Sequence, residues 1–369
     1  MRPQNWDDAR NVLCVRLDAL GDVIMTEPAL RAVKQALPGR RLTLLTSLSG
    51  AEAAPLLADV DEVIPYAAPW MKATATRIHG GADRSFARQL RYRCFDGAVV
   101  FTCFSQSPLP AAMLCYLSDI PLRLAHCREN PYQLLTHWVR ECEPQQGIRH
   151  EVQRQLDLAA TIGGALADDA IRLAVPPSAR EDARRLLQSQ GIEPTEPWIV
   201  VHVGATAPSR RWPLEFFAAA ADQLACDLDA QIVFTGSRSE RALINQVRAA
   251  MTLPSTSLAG SLSVIQLAGL FSMAPLLVSN NTGPVHLAAG VGTPVVDIYA
   301  LTNPQHTPWR TPSRVLSYDV PCKNCFRSIC PEEHHRCLRG VSPAEVVQAA
   351  VELWHQTGGA LLRTTRAAS

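Results

Sequence analysis

Short apolar runs alternate along the chain with longer stretches in which apolar residues recur at helical spacing. In the first half this pattern predicts strands at 11–16, 42–45 and 97–101, and a helix at 23–37 that ends at Pro38-Gly39. The second half predicts the same alternation, with strands at 198–202, 231–234 and around Leu277 and Val295, and helices at 213–226 and 240–250. Such alternation is typical of parallel sheets with helices on both faces, so we predict an α/β fold.

A prolyl pair marks the predicted boundary between the two halves. The segment Val175-Pro176-Pro177-Ser178 favours an extended linker, and Ser178 is expected to cap a helix that starts at Ala179. The predicted organisation is a Rossmann-like domain at 1–175, a second at 178–342, a helix at 343–357 that packs on a domain, and a tail at 358–369.

Composition excludes some classes of partner. The 369 residues carry 35 Lys and Arg against 34 Asp and Glu, a net charge of +1, so we expect no nucleic-acid partner. The amino end has no apolar core of signal-peptide length, and no later stretch reaches the ~18 apolar residues of a membrane span. The sequence therefore predicts a cytoplasmic protein.

Two loops far apart in the chain follow predicted strands and open predicted helices. One contains Asp18, Gly21 and Asp22, and the other runs through Asn281-Thr282-Gly283. Ligands of open α/β sheets bind beyond the carboxyl ends of strands, and a helix N-terminus offers unpaired N–H groups to a diphosphate. We expect two Rossmann-like halves that face one cleft, with Asp22 on one wall, a layout typical of a sugar-nucleotide transferase.

Asp22 is the candidate general base. An acceptor hydroxyl must lose its proton as it attacks an anomeric carbon, and one carboxylate within hydrogen-bond reach suffices. Gly21 allows the backbone to approach a ligand closely, and Asp18 is the second candidate. The alternative is a tight turn in which Asp22 only caps a helix that starts at Val23.

Adjacent arginines follow the strand at 198–202. Arg210 and Arg211 precede Trp212-Pro213, and at the carboxyl end of a strand they can clamp diphosphate oxygens and stabilise the departing nucleotide. The alternative is ordinary solvated surface.

Two further residues have both a functional and a structural interpretation. Glu240 follows a glycine turn and can hold ribose hydroxyls or serve only as a partner of the helix dipole. His286, in the first turn after Gly283, can donate to phosphate or sugar oxygens or can simply be packed.

Three of these segments together resemble the motifs of family 9 glycosyltransferases, the bacterial lipopolysaccharide heptosyltransferases. They are Arg16-Leu17-Asp18-Ala19-Leu20-Gly21-Asp22, Arg210-Arg211-Trp212-Pro213 and Asn281-Thr282-Gly283-Pro284-Val285-His286-Leu287-Ala288. They occur in the family's order over nearly the whole chain. The resemblance implies a GT-B fold and an inverting transfer of heptose, usually from ADP-heptose, onto the inner core of lipopolysaccharide. A lipid-linked glycan is the alternative acceptor. It also implies catalysis that needs no metal.

The resemblance assigns roles by motif position. Asp22 matches the catalytic carboxylate, and the domain at 1–175 becomes the acceptor side. The domain at 178–342 becomes the donor side, with the candidate donor-binding set Gly21, Thr206, Arg210, Arg211, Glu240, Asn281, Thr282, Gly283 and His286. Asn281 stands where the family commonly has aspartate, and this departure leaves the donor sugar and nucleotide open.

Residues 71–96 carry six Lys and Arg against two Asp. One interpretation is a solvated helix face. The other is a surface for core or lipid A phosphates at the cytoplasmic face of the inner membrane, with Lys72 and Arg77 as acceptor-binding residues.

Four cysteines cluster near the end of the second domain. The loop 322–337 has the spacing Cys322-x2-Cys325-x4-Cys330-x6-Cys337, which predicts a structural zinc site, or else free thiols or a redox-sensitive pair. In each case we expect a stapled loop rather than the reaction centre.

Two rival functions remain open from the sequence. One is a sugar-nucleotide epimerase on the same scaffold, which needs no acceptor. The other is a non-catalytic binding or assembly protein organised by the cysteine cluster. A dinucleotide-dependent dehydrogenase is disfavoured, because the first turn lacks the three-glycine fingerprint.

Overall fold

The computed structural model describes residues 5–72 and 74–358. The chain divides into two compact units, Met1–Arg172 and Leu173–Ser369. Most of the tail expected at 358–369 lies outside the described residues. None of the helices in the described ranges is long and apolar enough to cross a membrane.

The first unit, here the N-terminal domain, contains six strands and five helices among its described residues. Its strands are β1 Asn11–Arg16, β2 Arg41–Thr46, β3 Glu62–Pro65, β4 Gly97–Val100, β5 Leu122–Cys127 and β6 His137–Arg140. Its helices are α1 Leu20–Gln35, α2 Leu48–Ala51, α3 Gly81–Tyr92, α4 Leu109–Leu117 and α5 Glu151–Ala160.

The second unit, here the C-terminal domain, contains six strands and seven helices in the part that the structure describes. Its strands are β7 Trp198–His202, β8 Gln231–Thr235, β9 Ser255–Ser257, β10 Leu277–Asn280, β11 Val295–Ile298 and β12 Ser313–Leu316. Its helices are α6 Pro177–Ser189, α7 Leu214–Leu228, α8 Arg241–Ala250, α9 Val264–Phe271, α10 Gly283–Gly290, α11 Arg336–Arg339 and α12 Pro343–Gln356.

Both sheets are parallel and share one topology. The N-terminal sheet has the order β3-β2-β1-β4-β5-β6, and the C-terminal sheet has the order β12-β11-β10-β7-β8-β9. Counted from the first strand of each domain, both contain the strand-order reversal of doubly wound sheets. The order reverses between β1 and β4 in one domain and between β7 and β10 in the other. Ligand sites are therefore expected beyond the carboxyl ends of these four strands.

Each sheet is covered by apolar side chains. In the N-terminal domain, Leu13, Val15 and Val100 pack with Leu90 of α3 and Leu114 of α4. In the C-terminal domain, the helix predicted at 343–357 is α12, and its apolar residues are buried in the core as their spacing predicts. These residues are Val346, Val347, Ala350, Leu353 and Trp354.

Two predicted helix starts are wrong. α1 begins at Leu20 rather than Val23, so Asp22 lies in its first turn and Ala19 takes the cap position. α6 begins at Pro177 with Pro176 at the cap position and no side-chain cap, so Ser178 does not cap it. Proline suits the first helical position because its missing N–H has no intrahelical partner there.

Candidate functional site

A buried arginine joins three carboxylates at the carboxyl end of β1. Arg16 is fully buried, and its guanidinium lies 2.9 Å from Asp18, 3.2 Å from Asp22 and 2.8 Å from Glu151. Burial alone would lower the pKa of Arg16, but the surrounding carboxylates raise it above its ordinary value. The arginine therefore remains charged and fixes the carboxylates around it.

Asp22 combines a fixed position with access to solvent. Its Oδ1 accepts a hydrogen bond from Arg16, and its Oδ2 accepts one from the backbone N–H of Ala19 at 3.2 Å. The Asp22 side chain nevertheless keeps 23% of its surface exposed. The start of α1 also favours a negative charge at this position. Asp22 is thus an ordered carboxylate that a ligand can reach.

Asp18 differs from Asp22 in its surroundings. Its side chain is only 11% exposed, and its carboxylate also accepts a 2.6 Å hydrogen bond from Gln106. Burial raises the pKa of Asp18 to about 6, despite the opposing effect of Arg16. With both of its oxygens engaged and little of its surface exposed, Asp18 is the weaker candidate for a base that a substrate must reach.

A cavity of about 1060 Å³ opens beside these carboxylates within the N-terminal domain. Asp18 and Asp22 line it, and so do Lys72 and Arg77, the two residues predicted to bind an acceptor. Arg77 also forms a 3.1 Å ion pair with Asp83. The fold therefore brings the predicted base and both predicted acceptor residues to one cavity.

In the C-terminal domain the loop after β7 presents the paired arginines. Arg210 ends a short 3-10 turn and donates from Nη2 to Oδ1 of Asn303 at 3.0 Å. Arg211 donates from Nε to the carbonyl of Ala205 at 2.8 Å. Thr206 is exposed in the same loop. Both arginines are half-buried, so they are not ordinary solvated surface.

The same loop is anchored to the end of β10. Oδ1 of Asn280 accepts from the backbone N–H of Trp212 at 2.9 Å, and its Nδ2 donates to the carbonyl of Val203 at 2.8 Å. Ser209 is bonded through its N–H and Oγ to the carbonyls of Ser328 and Arg327. These contacts hold the arginine loop beside the neighbouring strand at the point where the strand order reverses.

The segment after β10 enters helix α10. Thr282 occupies the cap position in an extended conformation, and its side chain does not cap the helix. Pro284 lacks an N–H and the N–H of Val285 donates to the carbonyl of Thr282 at 2.9 Å, so an anion bound at this helix start would meet the N–H of Gly283. His286 is buried, 3% exposed, and its ring centroid lies 6.5 Å from that of His306. Its position in the interior supports the packed interpretation.

Asn281 faces inward. Its Nδ2 donates to Oδ2 of Asp297 at 2.9 Å and to the carbonyl of His306 at 2.8 Å. Both amide hydrogens are therefore used within the domain. Burial raises the pKa of Asp297 to about 8, although the hydrogen bond from Asn281 opposes the shift.

The buried Asp297 predicts a pH dependence of stability. A native pKa above the unfolded value means that the folded chain retains a proton that the unfolded chain releases between about pH 4 and pH 8. This carboxyl therefore lowers the free energy of unfolding as the pH rises, by at most about 1.4 kcal/mol per pH unit. Asp297→Asn is expected to gain stability relative to wild type between pH 5 and pH 8, measured by urea unfolding. Parallel pH curves for the two proteins would contradict the assignment.

Glu240 lies in a 3-10 turn that precedes α8. Its Oε2 accepts hydrogen bonds from the N–H and hydroxyl of Ser237, at 2.7 and 2.8 Å. Burial raises the pKa of Glu240, but His202 and Ser237 lower it more, so the net pKa is below its ordinary value. A methyl group on Gly204 would come within 1.8 Å of Oε1. Glycine at 204 thus admits this carboxylate to the loop that carries Arg210.

The four clustered cysteines are free thiols, each partly exposed. Sγ of Cys322 lies 3.8 Å from Nε2 of His334. Burial and the neighbouring thiols raise the pKa of Cys337. Across residues 5–72 and 74–358, no group of three or more His, Cys, Asp or Glu is arranged to hold a metal ion. The structure therefore gives the zinc interpretation no support.

Comparison with a family of known sequences decides the class of enzyme. The model of Glycosyltransferase family 9 (heptosyltransferase) matches residues 84–336. The chain belongs to this family. The family expected from the three motifs is thus confirmed, and the chain is a glycosyltransferase.

Individual relatives of this family 9 glycosyltransferase extend over nearly its full length. Lipopolysaccharide heptosyltransferase 1 of Pseudomonas aeruginosa is 29% identical over 338 residues, which cover 89% of this chain and 90% of that protein. Lipopolysaccharide heptosyltransferase 2 of Escherichia coli is 25% identical over 350 residues, which cover 91% of this chain and 96% of that protein.

Solved structures share the fold. A family 9 glycosyl transferase from Veillonella parvula has a TM-score of 0.79 at 21% identity, covering 96% of this chain and 99% of its own. Escherichia coli ADP-heptose lps heptosyltransferase II has a TM-score of 0.73 at 22% identity, covering 94% of this chain and 99% of its own. The predicted α/β fold with two Rossmann-like domains of the GT-B class is confirmed. The epimerase and the non-catalytic protein are not favoured.

Several residues of the candidate site give little signal in the sequence. Glu151 contacts Arg16 across 135 positions, and Asn303 contacts Arg210 across 93. Asn280 and Asp297 are buried polar residues in strands that are otherwise largely apolar. A polar residue within such a run is the one available signal.

Proposed function

We propose that this glycosyltransferase moves heptose from ADP-heptose onto the inner core of lipopolysaccharide, with inversion at the anomeric carbon. The names of the Pseudomonas and Escherichia relatives support heptose and lipopolysaccharide, and these relatives align over nine-tenths or more of their lengths. The Escherichia enzyme of known structure is an ADP-heptose heptosyltransferase by name, which supports ADP-heptose as the donor here. Because Asn281 faces inward, its replacement of the family's aspartate does not argue for another donor.

In this proposal the acceptor binds in the cavity of the N-terminal domain. Its volume of about 1060 Å³ is large enough for several sugar residues. Lys72 and Arg77 supply positive charge for the phosphates or carboxylates of an inner-core acceptor. In this proposal Asp22 accepts the proton of the attacking hydroxyl, and Arg16 keeps the carboxylate oriented.

The donor is placed on the C-terminal domain. As the acceptor oxygen bonds to the anomeric carbon, the bond from that carbon to the diphosphate oxygen breaks, and the nucleotide leaves with the electron pair. Arg210, Arg211 and the open start of α10 at Thr282 and Gly283 stabilise the charge on this leaving group. Thr206 lies in the same loop, and Glu240 is placed near the ribose. No step in this scheme requires a metal.

One observation carries the proposal. Within a family of glycosyltransferases, Asp22 is a carboxylate that is both held by a buried arginine and open to a large cavity. That combination fits a general base, whereas a residue that only capped α1 would not need to be open to a cavity.

Nucleotide binding tests the donor assignment. We expect ADP to bind more tightly than UDP, GDP or NAD in calorimetric titrations, and Arg210→Ala to weaken ADP binding by about 10- to 100-fold. This range follows from the loss of a charge-assisted hydrogen bond to phosphate. Arg185→Ala is the matched control, since Arg185 is an exposed arginine of the same domain. Preference for UDP or GDP would change the donor, and no nucleotide binding would refute the proposed function.

We also propose peripheral contact with the cytoplasmic face of the inner membrane. Helix α3 presents exposed Arg88 and Tyr92 with the neighbouring Arg84, and the adjacent α4 presents exposed Tyr116 and Leu117. Basic and aromatic side chains together suit an interface with anionic lipid.

Vesicle binding tests this surface. The full chain is expected to co-sediment with phosphatidylglycerol vesicles at low salt, and the double variant Arg84→Glu/Arg88→Glu is expected to lose most of that binding. Arg184→Glu/Arg185→Glu on α6 is the control with the same change in charge. Equal loss in the two double variants, or no binding by the wild type, would contradict the proposal.

A further inference from the structure

Arg210 forms a hydrogen bond with Asn303, a residue that lies outside all three family motifs. Nη2 of Arg210 donates to Oδ1 of Asn303 at 3.0 Å, and Oγ1 of Thr302 donates to the same oxygen at 2.8 Å. Asn303 is 9% exposed. An amide oxygen with two donors has a fixed orientation, so the Asn303 side chain sets where the guanidinium lies.

The other end of the Asn303 amide is also engaged. Its Nδ2 lies 2.8 Å from Nδ1 of His306, and the carbonyl of Asn303 accepts the hydroxyl of Tyr299. An amide nitrogen can only donate, so Nδ1 of His306 accepts and the ring proton resides on Nε2. Aspartate could not supply this donor, and alanine could supply neither contact.

The network continues to the second candidate phosphate site. The carbonyl of His306 accepts a hydrogen bond from Nδ2 of Asn281, the residue directly before Thr282 and the start of α10. Asn303 therefore lies between the arginine loop and the helix start. It contacts Arg210 directly and reaches Asn281 through His306. Both elements lie within the C-terminal domain.

The cysteine loop braces the backbone that carries this asparagine. The N–H groups of Asn324 and Phe326 donate to the carbonyls of Leu301 and Thr302, at 2.7 and 2.8 Å. The segment before Asn303 is consequently fixed in the backbone as well as in the side chains.

From these contacts we propose that Asn303 is a positioning residue for the donor diphosphate, acting through Arg210 and aligning it with the start of α10. This inference rests on the proposed function, which supplies the diphosphate. In the absence of Asn303 the guanidinium loses its buried acceptor and must be ordered by the ligand, which lowers affinity.

A double-mutant cycle tests the inference. ADP and adenosine are titrated into the wild type, Asn303→Ala, Arg210→Ala and the double variant. Asn303→Ala is expected to lower ADP affinity about tenfold in the wild-type background and by less than about twofold when Arg210 is already alanine. Adenosine, which lacks the diphosphate, is expected to bind all four proteins alike. Asn303→Ser, too short to reach the guanidinium, should repeat the result if the alanine variant does not fold.

The outcomes separate the two proposals. Three results would overturn the positioning role while Arg210→Ala still weakened ADP binding. Asn303→Ala could lower ADP affinity equally in both backgrounds, lower adenosine affinity to the same extent, or leave ADP affinity unchanged. If the wild type bound no ADP, UDP or GDP, the proposed function itself would fail, and the positioning role with it.

Discussion

Asp22→Ala is expected to lower the rate of glycosyl transfer by about 10²- to 10⁴-fold, the usual contribution of a general base. The acceptor hydroxyl would lose the carboxylate that takes its proton, while the arginine loop and the start of α10 would be unchanged in the C-terminal domain. ADP affinity is therefore expected to remain within about twofold of wild type. Transfer would be measured with ADP-heptose and a lipopolysaccharide core acceptor, and ADP affinity by calorimetry.

Asp22→Asn separates the chemical role from the structural one. The amide retains an oxygen for the N–H of Ala19 at the start of α1, so the melting temperature should change less than in Asp22→Ala. Transfer should nevertheless fall as far as in the alanine variant, because an amide cannot accept the proton. An asparagine variant with near-wild-type activity would remove Asp22 from the role of base.

Arg16→Met is expected to lower the free energy of unfolding by about 3–5 kcal/mol, the usual cost of removing one partner from a buried ion pair. Arg16 and Glu151 are both fully buried, and the loss of the arginine would leave Glu151, Asp18 and Asp22 without their common cation. Urea unfolding at pH 7 measures the change.

Two further variants serve as controls for this measurement. Arg172→Met, which breaks an exposed ion pair with Asp168 in the same domain, should cost no more than about 1 kcal/mol. Arg16→Met combined with Glu151→Gln should recover part of the loss, since one buried charge is then removed. If Arg16→Met costs as little as Arg172→Met, the buried cluster does not stabilise the fold as described.

The strongest strands and both Rossmann-like domains are predictable because buried parallel strands appear as continuous apolar runs. β7 is predicted with the bounds that the structure gives it, 198–202. The edge strands are not, since β9 consists of Ser255-Thr256-Ser257 and the four-residue β6 has polar residues, His137 and Arg140, at both ends. Their pairing depends on the neighbouring strand rather than on their own composition.

The candidate site is predictable where it follows a strand end and hidden where it depends on long-range contacts. Asp22, Arg210 and Thr282 each lie directly after a buried strand or in its loop, so local pattern is sufficient. Nothing local indicates that Glu151 meets Arg16 or that Asn303 meets Arg210. The predicted start of α1 is wrong because Ala19, at its cap position, is not a residue that normally caps a helix.

The contact between Asn281 and Asp297 links the identities of two positions, one just after β10 and the other within β11. Aspartate at 281 would place two carboxylates about 3 Å apart in a dry interior, where only one of them could ionise. An exchange of Asn281 for aspartate consequently requires that one of the two carboxyls stay protonated, or that a neutral hydrogen-bonding residue replace Asp297. We expect residues 281 and 297 to covary across homologous chains. The identity of residue 281 then depends on its buried partner at 297 rather than on the donor sugar.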